Sequence, residues 1–162
     1  MVEKDVEYNI KTAILNNSNK AVTITNEFST DGIVRFNQKP VAILEFKNKR
    51  DLSKDVNRAQ IMVQSMCYYY KLTAKESLDY NKPFYLIMGD DNEIFVLNLH
   101  QLPANWLINK KWGEVAPSRA KNEKDLMEVA ESMLKIANLI YYKYEDIKEL
   151  SFGFHLIFNN LI

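Results

Sequence analysis

A chain of 162 residues, 47% hydrophobic and 26% charged, is long enough for one domain with a real core and has ordinary globular composition. Lys+Arg and Asp+Glu each number 21, so the formal net charge is zero; this weighs against gripping long nucleic acid by bulk charge, though a local basic patch is compatible with it. A single cysteine, Cys67, excludes an internal disulfide and a multi-cysteine metal site and suits a reducing, cytoplasmic setting; the charged amino terminus does not read as a signal peptide, and no run approaches the roughly 20 apolar residues of a membrane span.

Residues 5–15 place Val6, Ile10, Ala13 and Ile14 at helical spacing, and the polar run 16–19 ends the pattern. Residues 21–28 alternate through Val22, Ile24 and Phe28 and read as a strand. Residues 33–36 read as a second strand, 37–40 as a turn, and 41–47 as a third strand whose apolar character marks it as central. A long helix is predicted over 51–72 from Val56, Ala59, Val63, Met66 and Tyr70. Residues 83–88 and 93–99 read as a hairpin joined by a turn at 89–92. Residues 106–118 look irregular, and a second long helix is predicted over 122–144 from Leu126, Val129, Ala130, Met133, Ile136, Ala137 and Ile140. The expected fold is α/β, a mixed sheet flanked by helices in the order αβββαβ, with the core at about 5–99 and a helical part at about 120–162. The apolar run 152–162 reads as the end of a piece of a longer protein or as a surface for a partner.

Charge is concentrated where it is costly. Glu45 and Lys47 interrupt the apolar run 41–47 and, two residues apart in a strand, share a face roughly 7 Å apart. Asp31 stands fourteen positions before Glu45. Burying a carboxylate or an ammonium is unfavourable unless it is paired or binds a metal. Each residue also has a plain reading: Asp31-Gly32 is a common turn pair, and Lys47 begins a basic strand exit with Lys49 and Arg50. Gln60 and Gln64 lie one helical turn apart on an otherwise apolar helix, with Tyr68 continuing their stripe. Tyr68, Tyr69 and Tyr70 read as packing rather than base stacking, Cys67 as a core thiol, and Trp106 and Trp112 with Lys110 and Lys111 as loop cover rather than a nucleic-acid contact. His100 and His155 have no partner spacing and receive no role.

Asp31 before the second strand, Glu45-x-Lys47 on the third, and Gln60, Gln64 and Tyr68 on the helix that follows together resemble the PD-(D/E)xK nuclease superfamily, the fold of many restriction endonucleases and RecB-type nucleases. Gln64 to Tyr68 is similar to the Gln-x-x-x-Tyr element of the RecB-like branch, and Thr30 stands where the signature often has proline. The resemblance is carried by residues 5–72 and extends in part to 99.

It implies a metal-dependent nuclease acting on DNA, as part of a restriction–modification or helicase-linked enzyme. Mg²⁺ or Mn²⁺ would be held by Asp31, Glu45 and the Phe46 carbonyl, since such cations take carboxylates, main-chain oxygens, waters and phosphate. Lys47 would steady the attacking water and the phosphate, Gln60 and Gln64 would hydrogen-bond metal waters or the scissile phosphate, and Lys49, Arg50 and Tyr68 would touch substrate. The first helix should add one acid: Glu7 is the choice over Glu3, with Glu27 a rival on the first strand. DNA is the expected partner, ahead of RNA, with a homodimer or further domains beside it. The contrasting reading is a silent nuclease-fold domain that binds nucleic acid or serves as a scaffold.

Overall fold

The computed structural model describes residues 3–16, 21–28, 30–47, 52–78, 82–120 and 122–146. Helix α1 (Glu3–Asn16) buries Val6, Ile10, Ala13 and Ile14, the stripe its spacing predicts. Strand β1 (Val22–Thr25) is shorter than 21–28 because the backbone turns away: Phe28 has φ 57. Strands β2 (Gly32–Phe36) and β3 (Lys39–Phe46) form a hairpin whose two turn residues, Asn37 and Gln38, have φ 49 and 72. Positive φ at both central positions matches the right-handed twist of the paired strands.

Helix α2 (Asp55–Glu76) carries the chain from β3 to β4 (Tyr85–Gly89), and β5 (Glu93–Asn98) returns as a hairpin partner. The six strands lie in the order β1-β2-β3-β4-β5-β6, where β6 is Ile140–Lys143. Pairing is antiparallel throughout except between β3 and β4, which run parallel. Parallel neighbours need a long crossover, and α2 supplies it. One face of the sheet, with Ile33, Ile43, Leu86, Met88, Phe95 and Leu97, packs under α2. The other, with Val34, Ala42, Leu44, Phe46, Ile87, Ile94 and Val96, packs under Val6, Ile10 and Ile14 of α1.

Three further expectations change. Helix α2 begins at Asp55 rather than 51, since Leu52 and Ser53 form a turn. The segment 106–118, expected to be irregular, lies within a set of short helices: α3 (Ala104–Leu107), α4 (Lys111–Glu114) and α5 (Pro117–Ala120). They cover α2, and Trp112 there is fully buried, its Nε1 donating to the Trp106 carbonyl at 2.8 Å. The helix expected over 122–144 is two elements: α6 (Lys124–Ile136) stops at an extended Ala137 (ψ 141), and Ile140–Lys143 is the edge strand β6 on β5. The part expected to be helical from 120 therefore contains a strand, and 147–162 lies outside the described residues.

Arg58 ties these layers together. It donates to the Leu52 carbonyl at 2.5 Å, to Tyr141 Oη at 2.8 Å and to Glu93 Oε1 at 2.7 Å, and stacks over the Phe95 and Tyr141 rings. Arg58→Met keeps the stem but removes those bonds, and urea unfolding is expected to show a loss of about 1–2 kcal/mol. A loss within error would mean that β6 docks without it.

Candidate functional site

The β2–β3 register pairs Gly32 with Leu44 and Ile33 with Ile43, so one further step sets Asp31 opposite Glu45. A hydrogen bond fixes the approach: Phe46 N–H donates to Asp31 Oδ2 at 2.6 Å. The turn leading into Asp31 is built by Thr30, whose N–H and hydroxyl both donate to the Glu27 carbonyl, at 3.0 and 2.7 Å. A proline at position 30 would lack that N–H. Thr30 therefore closes the turn itself and delivers Asp31 to the end of β3.

Glu45 follows Ile43 by two residues and so shares its face, toward α2. It is 3% exposed. Its Oε1 accepts from Lys47 Nζ at 3.3 Å, while Oε2, also buried, has no partner in protein; among the described residues it is the one buried side-chain oxygen or nitrogen in that state. Burial, and then repulsion from Asp31, push the Glu45 carboxyl up to about 8. Burial likewise raises Asp31 to about 6, the Phe46 N–H working against it and the Glu7 and Glu3 carboxylates with it. Two acids at the end of a core strand thus resist joint ionisation unless a cation joins them.

On α2, Tyr68 is buried and hydrogen-bonded with the Gln64 side chain. Burial raises its hydroxyl, and the Glu45 and Asp31 carboxylates push the same way, which puts the Gln64–Tyr68 stripe beside the acids. Gln60, one turn earlier, is half-buried on the same stripe. Lys49 and Arg50 lie outside the described residues.

The first-helix acids divide differently from the expectation. Glu7 is held by Lys11 Nζ at 2.6 Å and acts on Asp31, whereas Glu3 is exposed and acts on both Asp31 and Glu45. Glu27 belongs elsewhere: it accepts from Thr25 and Arg35, and Arg35 also pairs with Glu76 at 2.8 Å, joining the β1–β2 hairpin to the end of α2. One buried acid escaped the sequence pattern. Asp90, 2% exposed, directly follows β4 and is taken up by its own turn, its Oδ1 accepting from the N–H groups of Asn92 and Glu93 at 2.8 and 3.0 Å. The turn at 89–92 was its only signal.

Tyr69 and Tyr70 pack as expected, Tyr69 against Phe84 with ring centroids 4.8 Å apart and Tyr70 against Gly113, where a Cβ would approach its ring within 2.6 Å. Cys67 is a core thiol raised to about 11 by burial. Lys111 pairs with Asp125, so it fastens α4 to α6.

Among the described residues no group of three or more His, Cys, Asp or Glu is arranged to hold a metal ion by itself, and none of their helices is long and apolar enough to cross a membrane. A pair of carboxylates still fits Mg²⁺, which usually takes one or two and keeps several waters. The unpartnered Glu45 Oε2 beside Asp31 is an oxygen that such a cation would satisfy. Comparisons with protein-family models, with curated proteins and with solved structures returned no match.

Proposed function

We propose that the chain is a metal-dependent nuclease domain of the PD-(D/E)xK type, with a restriction-endonuclease-like core, hydrolysing DNA phosphodiester bonds. The observation that carries the reading is Glu45: a carboxylate inside a core strand, beside a second carboxylate, with one buried oxygen unpartnered. An acid kept there at a cost to stability has a reason if it binds something.

Asp31 and Glu45 would hold Mg²⁺ or Mn²⁺, with the Phe46 carbonyl as the main-chain donor between Glu45 and Lys47. The cation supplies charge to offset that of the phosphate and eases loss of a proton from water. Lys47, with Nζ at 3.3 Å from Glu45, orients the attacking water and offers its cation to a phosphate oxygen. Asp31 is held by the Phe46 N–H through one oxygen, which leaves the other for the site. Gln64 fixes Tyr68 beside the acids on the α2 side, and Gln60, one turn earlier on the same stripe, would extend that face.

The test is cleavage of plasmid and single-stranded DNA, and of RNA, with Mg²⁺ or Mn²⁺, by the wild type and by Asp31→Ala, Glu45→Ala and Lys47→Ala. Metal-dependent cleavage lost in all three variants is expected. Equal cleavage in all four proteins would sink the assignment. Nucleic-acid binding without cleavage by the wild type would favour the silent domain, and cleavage confined to RNA would move the substrate.

A further inference from the structure

We infer that Lys11 is a positioning residue for the acid cluster: a counter-ion built into α1 that, through Glu7, sets how tightly the site takes a divalent cation. The inference rests on the reading of Asp31 and Glu45 as metal ligands.

A Glu–Lys pair one helical turn apart is usually a solvated surface pair of little consequence. Lys11 is placed differently. Its side chain is 18% exposed and Glu7's 26%, and its Nζ reaches Glu7 Oε1 at 2.6 Å and Asn26 Oδ1, in the β1–β2 connection, at 3.1 Å. The stem runs over Gly32, the residue after Asp31: a Cβ at position 32 would come within 3.1 Å of Lys11 Cε, 2.9 Å of Ile24 Cγ2 and 3.2 Å of Leu44 Cδ1. Gly32 does not have positive φ, so the missing side chain makes room rather than permitting a turn. The amine is thereby laid between α1 and the segment that carries Asp31.

The charge arithmetic follows. Glu7 and Glu3 act on Asp31, and Asp31 and Glu3 act on Glu45, while among the described residues Lys11 pairs with Glu7 and Lys47 with Glu45. With Lys11 present, Glu7 is neutralised and its Oε1 is occupied. Without it, the cluster gains one net negative charge and Glu7 gains a free oxygen. Both changes favour a divalent cation, and a unit charge several ångströms away in a partly wet site changes binding by about three- to tenfold.

The experiment is calorimetric titration of the protein with Mn²⁺ alone, without nucleic acid, for wild type, Lys11→Met, Lys11→Arg and Glu7→Gln. Lys11→Met is expected to bind Mn²⁺ about three- to tenfold more tightly, Lys11→Arg like wild type, and Glu7→Gln more weakly. A purely structural Lys11 would leave the affinity unchanged, so equal or weaker binding by a folded Lys11→Met overturns the inference. Should Lys11→Met fail to fold, Glu7→Gln decides, and unchanged affinity there overturns it as well. A wild type that takes up no Mn²⁺ removes the metal reading beneath it, a result distinct from equal binding by all four proteins.

Discussion

Glu45→Gln is expected to melt at a higher temperature than the wild type above pH 8 when no divalent cation is present, by about 4–8 °C. Burial and the neighbouring Asp31 raise Glu45 from an ordinary 4.5 to about 8. An acid raised on folding holds its proton in the native state where the unfolded chain has already released it. Between pH 4.5 and 8 the native state therefore binds more protons, and stability falls as pH rises through that window. Asp31 adds the same trend from 3.8 to about 6. Fully developed, the Glu45 penalty is on the order of 5 kcal/mol. The amide removes the charge but leaves a buried N–H donor at the Oε2 position, which returns about 1–3 kcal/mol, so the net gain is at least about 2 kcal/mol. Below pH 4.5 both carboxyls are neutral and the advantage should vanish or reverse. Melting curves of both proteins across that range, in chelator, check it; a wild type whose stability is flat with pH would mean Glu45 is solvated or paired. The gain in the variant is what a site that trades stability for function predicts.

The parts of the fold visible in the sequence are those where one period rules. Val6, Ile10, Ala13 and Ile14 admit only a helix facing a core, and 41–47 admits only a buried strand. The end of α6 was hidden because Ile140 continues the apolar spacing of Leu126, Ala130 and Met133 while no glycine or proline marks the stop. Only Ile140-Tyr141-Tyr142, rich in strand-forming types, hinted that β5 would gain a neighbour. The short helices at 104–120 were obscured for the opposite reason. They are single turns, stabilised by Trp112 in the core and begun at Pro103 and Pro117, and no window of that length shows a period.

For the site, Asp31 could be placed near Glu45 from strand spacing, since two strands and a tight turn leave little choice of register. The first-helix acid could not be chosen that way. Glu3 and Glu7 share a face; the spacing of Glu7 and Lys11 is local, but the room over Gly32 in which the Lys11 stem lies is a tertiary contact that no local pattern encodes. The buried, unpartnered Glu45 Oε2 is likewise a property of packing: the sequence places a charge in a core strand, but only the neighbours decide which oxygen is left without a donor.

Asp31→Asn and Lys47→Met are expected to lose cleavage alike, by about 10³-fold or more, yet to part company when the cation is added without substrate. Asp31→Asn can still accept from the Phe46 N–H, so the end of β3 keeps its anchor, and what goes is the charge on the oxygen left for the site. A ligand present at a hundredfold over its dissociation constant stabilises the native state by about 2.7 kcal/mol, which for a chain of this size raises the melting temperature by about 5–10 °C. Mn²⁺ should give the wild type that rise and Asp31→Asn little of it. Lys47→Met should keep the rise in full or exceed it. Its amine, 3.3 Å from Glu45 Oε1, would compete with the cation for the same carboxylate, and removing it frees that oxygen for the metal. In the proposed reading Lys47 would act on water and phosphate and the acids on the cation, and the two readouts separate those tasks. An Asp31→Asn protein that melts with the wild-type Mn²⁺ shift would place the cation elsewhere, and a Lys47→Met protein that loses the shift would make Lys47 part of the fold of the site rather than of its chemistry.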